Sequence, residues 1–265
     1  MSTVSESISD SKVMLRRNLT HQLRYPSLSI MIVGLPIVLL LVFVYVFGGQ
    51  LGAGLGPHQG RHAYLQYVVP GLLLITVASV VQGTAIMVAT DMTTGIIDRF
   101  RTMAIARASV LTGHVLASLL QTLAAIGVLI GVATGLGFTS GAGPLAWLGA
   151  IGILTLSAIA LIWLAVALGL SAKSVETASN TPMFLILLPF LGSGFVPTAT
   201  MPEGLRQFAE LQPFTPVTDT VRALLTGGAV GDHAVVAVAW SCAIAVVSYL
   251  WAVCCYNRRR AATPN

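Results

Sequence analysis

Six apolar stretches punctuate the chain, each free of Asp, Glu, Lys and Arg: about residues 28–47, 68–90, 115–138, 145–170, 181–196 and 234–256. A bilayer core about 30 Å thick takes about 20 residues of α-helix. The pattern therefore predicts an all-α integral membrane protein with six transmembrane helices. The fifth stretch is short and carries Pro182 and Pro189, with Pro197 just after it. It is expected to kink, its freed carbonyls being satisfied by neighbouring helices rather than lipid. The first run is too long for a signal-peptide core and has no A-x-A exit before it, so the N-terminus is expected to be retained.

The segments between the spans have patterns of their own. Over residues 12–25, Leu15, Leu19 and Leu23 recur at i, i+4, i+8, with Lys12, Arg16, Arg17 and Arg24 on other faces and Pro26 as a stop. This suits an amphipathic helix lying on the membrane surface, or a basic flank that only sets topology. Over residues 91–113, Ile96 or Ile97, Phe100 and Met103 or Ala104 share a face, while Asp98, Arg99 and Arg101 decorate the rest. That stretch reads either as a short helix able to dock in a groove on a soluble partner or as a solvated loop whose arginines anchor topology. Residues 197–232 are long for a loop. Leu205, Phe208 and Leu211 have helical spacing, Pro213 and Pro216 interrupt the chain, and Val217, Val221, Leu224 and Leu225 form a second apolar face before Gly227 and Gly228. Two short helices are predicted there, re-entering the outer leaflet or capping a pathway. The glycine-rich stretch Gly48 to His62 reads as a flexible turn.

Composition narrows the class. Of 265 residues 55% are hydrophobic and only 9% charged, against about 25% charged in ordinary soluble proteins. A water-soluble fold and a disordered chain are both excluded. The cysteines, Cys242, Cys254 and Cys255, sit in one apolar segment and match neither a disulfide framework nor a spaced zinc site. With the N-terminus inside, 11 of the 14 Lys and Arg residues fall on the cytoplasmic side, leaving Arg61, Arg206 and Arg222 outside. The positive-inside rule then places both termini in the cytoplasm. The net charge of +5 sits beside membrane exits, where anionic lipid meets it, and needs no nucleic acid.

Several chemistries lack their residues. The two lysines, Lys12 and Lys173, follow no glycine, so there is no phosphate-binding G-x-x-x-x-G-K-[ST] loop and no intrinsic ATPase site of that type. His21, His58, His62, His114 and His233 are scattered through flanks and loops, and no metal site is expected. There is no G-x-S-x-G nucleophile elbow. Gly192-Ser193-Gly194 reads as a small-residue packing or kink site. A membrane-embedded enzyme would need paired carboxylates or an activated nucleophile at membrane depth, and an ion-coupled secondary transporter an ionisable residue in a span. No apolar core holds one, so energy is expected from a separate subunit. Thr76, Ser79 and Gln82 line one side of the second span, where they could contact a substrate or hydrogen-bond another helix. Gly127, Gly131 and Gly135, at four-residue spacing, suit a close helix contact within the subunit or between subunits.

Taken in order, several motifs resemble one family. They are YLQYVVPG (64–71) entering the second span, TGIIDRFRTMAIAR (94–107) after it, GFVPTATMP (194–202) after the fifth, and QPFTP (212–216) with VRALLTG (221–227) before the sixth. Together with the basic N-terminal segment they resemble the ABC-type-2 permeases, and among them drug-resistance permeases of the daunorubicin-exporter type. The resemblance covers the chain past residue 12 and implies a single transmembrane domain over residues 1–265. It also implies a dimer of permease subunits, a homodimer by expectation, driven by two copies of a separate nucleotide-binding ATPase that holds the ATP and Mg, with no cofactor in this chain. The substrate class it implies is amphipathic small molecules, such as drugs or antibiotics, or lipids, exported across a bacterial plasma membrane. By the same resemblance the stretch 91–107 would be a coupling helix, with Asp91, Gly95, Ile97, Asp98, Arg99, Phe100, Arg101 and Met103 facing the ATPase. The family's usual glutamate-rich entry to this loop is here Asp91-Met92-Thr93-Thr94-Gly95-Ile96. Substrate would pass along the second and fifth spans, near Thr76, Ser79, Gln82, Phe184, Phe190 and Phe195.

Overall fold

The computed structural model describes residues 15–16, 20, 26–54, 60–94 and 107–261. Every regular element among them is helical. In chain order they are α1 (Pro26–Val42), a π-turn (Phe43–Phe47), α2 (Gly48–Ala53), α3 (Arg61–Thr93), α4 (Arg107–Gly135), α5 (Pro144–Ser171), α6 (Val175–Asn180) and α7 (Met183–Leu187). A 3₁₀ turn (Leu188–Leu191), a second one (Thr198–Thr200), α8 (Glu203–Leu211), α9 (Phe214–Thr226) and α10 (His233–Ala261) complete the order.

Five helices among the described residues are long and apolar enough to cross a membrane: Ile32–Ala53, Arg61–Thr93, Leu111–Gly135, Pro144–Ser171 and His233–Tyr256. They coincide with five of the six expected spans. The expected fifth span is a string of short pieces instead. Pro182 caps α7, Pro189 starts a 3₁₀ turn, and residues 192–196 carry no helix. Each proline removes a backbone donor and crowds the preceding turn, which favours a break; α1 and α3 carry Pro36 and Pro70 without one, so here the breaks follow from two prolines seven residues apart in a short run.

Several helices outrun their apolar cores. α3 extends to Arg61 at one end and Thr93 at the other, so Asp91 is helical. α4 already begins at Arg107. The connection expected over 91–113 is thereby reduced to residues 94–106, of which 95–106 lie outside the described residues, as does most of the stretch 12–25. Where that stretch is described, Leu15, Arg16 and Thr20 are helical, and Thr20 Oγ1 donates to Arg16 O at 2.7 Å.

α3 is the axis of the fold. Of its membrane-length window 83% is buried, against 17% for α10. It packs on α1, α4, α5, α6 and α9, while α10 packs on α5 and α9. α3 and α5 approach closely at Gly169, where a Cβ would stand 2.7 Å from Ala85 O and 2.9 Å from Val88 Cβ. Small residues at such crossings let membrane helices gain dispersion contacts that larger side chains would block. Hydroxyls add short interhelical links: Thr84 Oγ1 lies 2.7 Å from Ser118 Oγ between α3 and α4, and Ser157 Oγ 3.1 Å from Ser241 Oγ between α5 and α10. Trp163 and Tyr249 meet edge to face at 4.9 Å across that second pair.

The glycine ladder of α4 makes no such contact. A Cβ at Gly127, Gly131 or Gly135 would meet nothing within 4 Å, so this stripe faces away from the rest of the chain.

The two helices expected between 197 and 232 are α8 and α9. Pro213 precedes α9 as its N-cap, and Pro216 falls within the first turn, where a missing N–H costs nothing. Pro216 therefore starts a helix rather than interrupting one. Gly227 ends it at φ 76°, a left-handed cap that glycine adopts without strain. Val217, Val221 and Leu225 of α9 are buried, whereas α8 leaves Leu205, Phe208 and Leu211 exposed. The connections 136–143 and 192–202 lie at the same end of the bundle as α8 and α9. Gln66 Nε2 donates to Thr139 Oγ1 at 3.0 Å, and Ser140 Oγ to Leu225 O at 2.6 Å.

Candidate functional site

Three places gather chemistry in this apolar frame: the non-helical residues 192–196, the aromatic group beside them, and the opposite end of α3.

The first is built where the broken segment passes between α3 and α9. Gly194 lies against Gly71, so close that a Cβ on Gly71 would stand 2.6 Å from Gly194 O. Gly192 likewise leaves room for the Gln212 amide and the Thr215 hydroxyl, which a Cβ would meet at 2.5 and 2.7 Å. Between the two glycines, Ser193 is buried and all its polar groups are engaged. Its hydroxyl donates to Asp219 Oδ1 at 2.6 Å, and its N–H to Thr215 Oγ1 at 3.4 Å. Its carbonyl accepts from Tyr67 OH at 2.9 Å and from Arg222 Nη2 at 2.6 Å. Arg222 also donates through Nη1 to Asp219 Oδ1 at 2.5 Å and through Nε to Tyr67 O at 3.4 Å, and lies 4.0 Å above the Tyr67 ring centroid. A guanidinium spreads its donors in a fixed planar fork and stacks on aromatic faces, so one Arg can bind two carbonyls, a carboxylate and a ring together. Irregular backbone buried among apolar helices needs such donors, because its apolar neighbours supply none.

The second is an aromatic group. Phe195 lies 4.6 Å from Phe43 and is stacked on Phe190 at 4.6 Å, and Phe43 lies 6.5 Å from Tyr64. Tyr64 OH donates to Phe195 O at 3.3 Å. Phe43 opens the π-turn of the first span, so this departure from α-helix faces the segment that is itself non-helical.

The third is at the far end of α3. Asp91 Oδ2 stands 3.2 Å from His114 Nε2 of α4, with side chains only 12% and 3% exposed. The pair ties together the helix that enters the 95–106 connection and the helix that leaves it.

The structure brings together Phe190 and Phe195 of the pathway residues expected from sequence. Phe184 stands exposed. Thr76 and Ser79 are buried, donating to Leu72 O and Ile75 O of their own helix at 2.9 Å each. Gln82 Nε2 reaches across to Ser179 O of α6 at 3.0 Å. Of the coupling residues only Asp91 is described. Gly95, Ile97, Asp98, Arg99, Phe100, Arg101 and Met103 lie outside the described residues. Sequence reasoning missed the roles of Tyr67, Asp219 and Arg222. The available signal was an i,i+3 acid–base pair, Asp219 and Arg222, on an otherwise uncharged helix in a chain with few charges.

Residues 10–226 match the family model described as ABC-2 type transporter. That span reaches from the N-terminal flank to the last residue of α9. The chain belongs to the ABC-2 type transporter family. Over 206 residues it is 30% identical to the daunorubicin resistance ABC transporter permease protein DrrB1 of Streptomyces coeruleorubidus, a match covering 77% of this chain and 71% of that one. Its apolar spanning helices and this membership together make it a multi-pass membrane permease. All three places described above, from Phe43 to Arg222, lie inside the matched region.

Proposed function

We propose that this ABC-2 permease is the transmembrane subunit of an ATP-driven exporter, moving amphipathic small molecules or lipids out across a bacterial plasma membrane. The observation that carries the proposal is the family match over residues 10–226, and the drug-resistance permease relative favours export of an amphipathic compound. Two permease subunits and two copies of a separate ATPase form the working unit, with ATP and Mg bound on the ATPase. Both termini and the 91–113 connection face the cytoplasm, and α8 and α9 lie outside. The broken fifth stretch, expected over about 181–196, makes the remaining crossing.

In this reading ATP draws the two ATPase subunits together, and the connection between α3 and α4 carries that movement into the bundle. Asp91 and His114 hold the two arms of the connection in register, so a pull on one is felt by both. Ile97, Phe100 and Met103 make the apolar contact with the ATPase groove, and Asp98, Arg99 and Arg101 its polar rim. The permease then switches from inward- to outward-facing by rigid-body movement of packed helices.

Placement of the ionisable groups favours this over ion coupling. From Tyr67, beside Arg222, to Asp91 there are 24 residue steps along α3, or about 36 Å at 1.5 Å per residue. The Arg222–Asp219 pair and the Asp91–His114 contact thus bracket a core about 30 Å thick rather than occupy its middle, where a coupling ion would need its site.

The test is to isolate the permease from mild-detergent membranes and assay bound ATPase, comparing the native chain with Phe100→Asp. The native chain should bring down ATP-hydrolysing activity that Phe100→Asp loses while its thermal stability is unchanged. If no ATPase comes down and transport in proteoliposomes runs without ATP, the exporter proposal is wrong.

A further inference from the structure

Whatever leaves an exporter must pass the outer end of its pathway, and the contacts there fall into two kinds. α9 is joined to the bundle through buried apolar side chains, Val217, Val221 and Leu225, and α3 is joined to α5 by close packing at Gly169. These joints do not come apart without exposing apolar surface. Beyond Phe195, which is itself packed among Phe43 and Phe190, and Gly194, which rests on Gly71, residues 192–194 between them have a second, polar hold. Gly192 and Gly194 present no side chain to grip. The grip falls on Ser193, which accepts from Tyr67 on the α3 side and from Arg222 on the α9 side, and donates to Asp219 and Thr215 of α9.

Water can replace every one of those polar partners. A permanent joint at this depth would be served as well or better by apolar packing, because a buried ion pair gains little over hydrophobic residues of the same volume. What a polar joint adds is that it can part into water and re-form in one register. The Arg222–Asp219 pair is placed for this, since its side chains are 16% and 24% exposed rather than sealed in the core.

We propose that residues 192–194 are the external gate of the permease, and that Ser193, gripped by Asp219, Arg222 and Tyr67, is the catch that holds it shut. The proposal rests on the exporter reading. Arg222, Asp219 and Tyr67 act through Ser193 and are positioning residues. When the ATPase drives the outward-facing state, Ser193 leaves Asp219 and Arg222 and becomes accessible to water. Arg222 and Asp219 remain paired with each other, so no isolated charge is stranded.

The experiment uses the permease–ATPase complex in lipid nanodiscs. Cys242, Cys254 and Cys255 are replaced by serine, and Ser193→Cys is then introduced as the reporter. The rate of reaction with a membrane-impermeant maleimide is measured without nucleotide and with Mg-ATP plus vanadate. Reaction should be slow at rest and at least tenfold faster in the trapped state. Tyr67→Phe keeps the ring beneath Arg222 but loses the hydroxyl. Added to the reporter, it should raise the resting rate several-fold and shrink the ratio between the two states, which a purely structural role would not do. As a guard against a reporter that fails to assemble, Thr215→Cys, close in volume to the buried threonine that faces Ser193, is read in the same way and should show the same nucleotide dependence. Equal labelling rates in both states, in a complex whose cysteine-free parent still couples ATP to transport, would overturn the gate. A cysteine-free parent that folds but moves a fluorescent amphipathic amine without ATP would overturn the exporter reading, and the gate with it.

Discussion

Replacing Gly71 by alanine adds one methyl group at the tightest point between α3 and the broken segment. The new Cβ would stand 2.6 Å from Gly194 O, 2.7 Å from Gly194 Cα and 2.9 Å from Gly194 C. The nearest of these is roughly 1 Å inside the distance at which such atoms attract. All three obstacles are backbone atoms, so no side-chain rotation relieves the overlap, and either α3 or segment 192–197 must retreat. Overpacking of this kind costs about 1–3 kcal/mol, and here it falls at the upper end. Alanine returns about 1 kcal/mol of helix propensity, leaving a net loss of about 1–2 kcal/mol. The matched control is Gly152→Ala in α5, where a Cβ meets nothing within 4 Å and the propensity gain stands alone. The two variants should therefore separate by about 2–3 kcal/mol, or several degrees of apparent melting temperature for a chain of this size. Both are read at one scan rate in the same detergent, because unfolding of such proteins is commonly irreversible. Gly71→Ala melting with or above Gly152→Ala would refute the close approach.

Three further outcomes are expected. Phe195→Ala removes a ring that touches both Phe43 and Phe190 at 4.6 Å and should cost about 3–5 kcal/mol; a loss below about 1 kcal/mol in detergent melting would show that the aromatic group is not packed as described. A double-mutant cycle on Asp91→Asn and His114→Phe should give a coupling of about 1 kcal/mol or more, as expected for contacting residues, whereas additive losses would mean the pair is not in contact. Gln82→Ala should free α6 from α3 by removing the bond to Ser179 O and lower stability by about 1 kcal/mol, checked by protease susceptibility of residues 172–182 alongside melting.

Much of this architecture is legible in one sequence because a bilayer imposes a simple rule: a run of apolar residues of sufficient length must be a helix. The same rule has little to say at the margins. Arg61, His62 and Gln66 at one end of α3 and Asp91 at the other are polar, and hydropathy ends the span before them, yet the backbone carries straight on as helix. The fifth run was marked as irregular by Pro182 and Pro189, but where the chain goes after each break depends on contacts with α3 and α9. The pair α8 and α9 was readable from i, i+3, i+4 spacing, and the effect of Pro216 was misread because a proline in a first turn and a proline in a helix interior differ only by a few positions. The grip on Ser193 lay beyond reach. Its partners stand 126 residues away at Tyr67 and 26 and 29 residues away at Asp219 and Arg222, separations with no local period. Its glycine neighbours signalled only that something comes close.

The way polar groups are spent along α3 explains why motion is to be sought at its ends. In the middle of the helix the hydroxyls of Thr76 and Ser79 are turned back onto their own backbone, and Thr84 bonds a neighbouring helix. Gly169 of α5 sits against the backbone at Ala85, so sliding α3 along α5 by even a fraction of a turn would drive the Val88 side chain into the α5 backbone. Close-packed interiors of this kind shift between discrete arrangements or not at all. At the ends the economy changes: Tyr64, Tyr67 and Arg222 at one, Asp91 and His114 at the other, all make contacts that polar groups elsewhere can replace. A central helix locked to α5 near Ala85 and Val88 and tied by exchangeable bonds at both tips behaves as a fixed post. Residues 192–194 at one tip and the connection at the other can then change position while the packing between them, Phe195 included, stays in place.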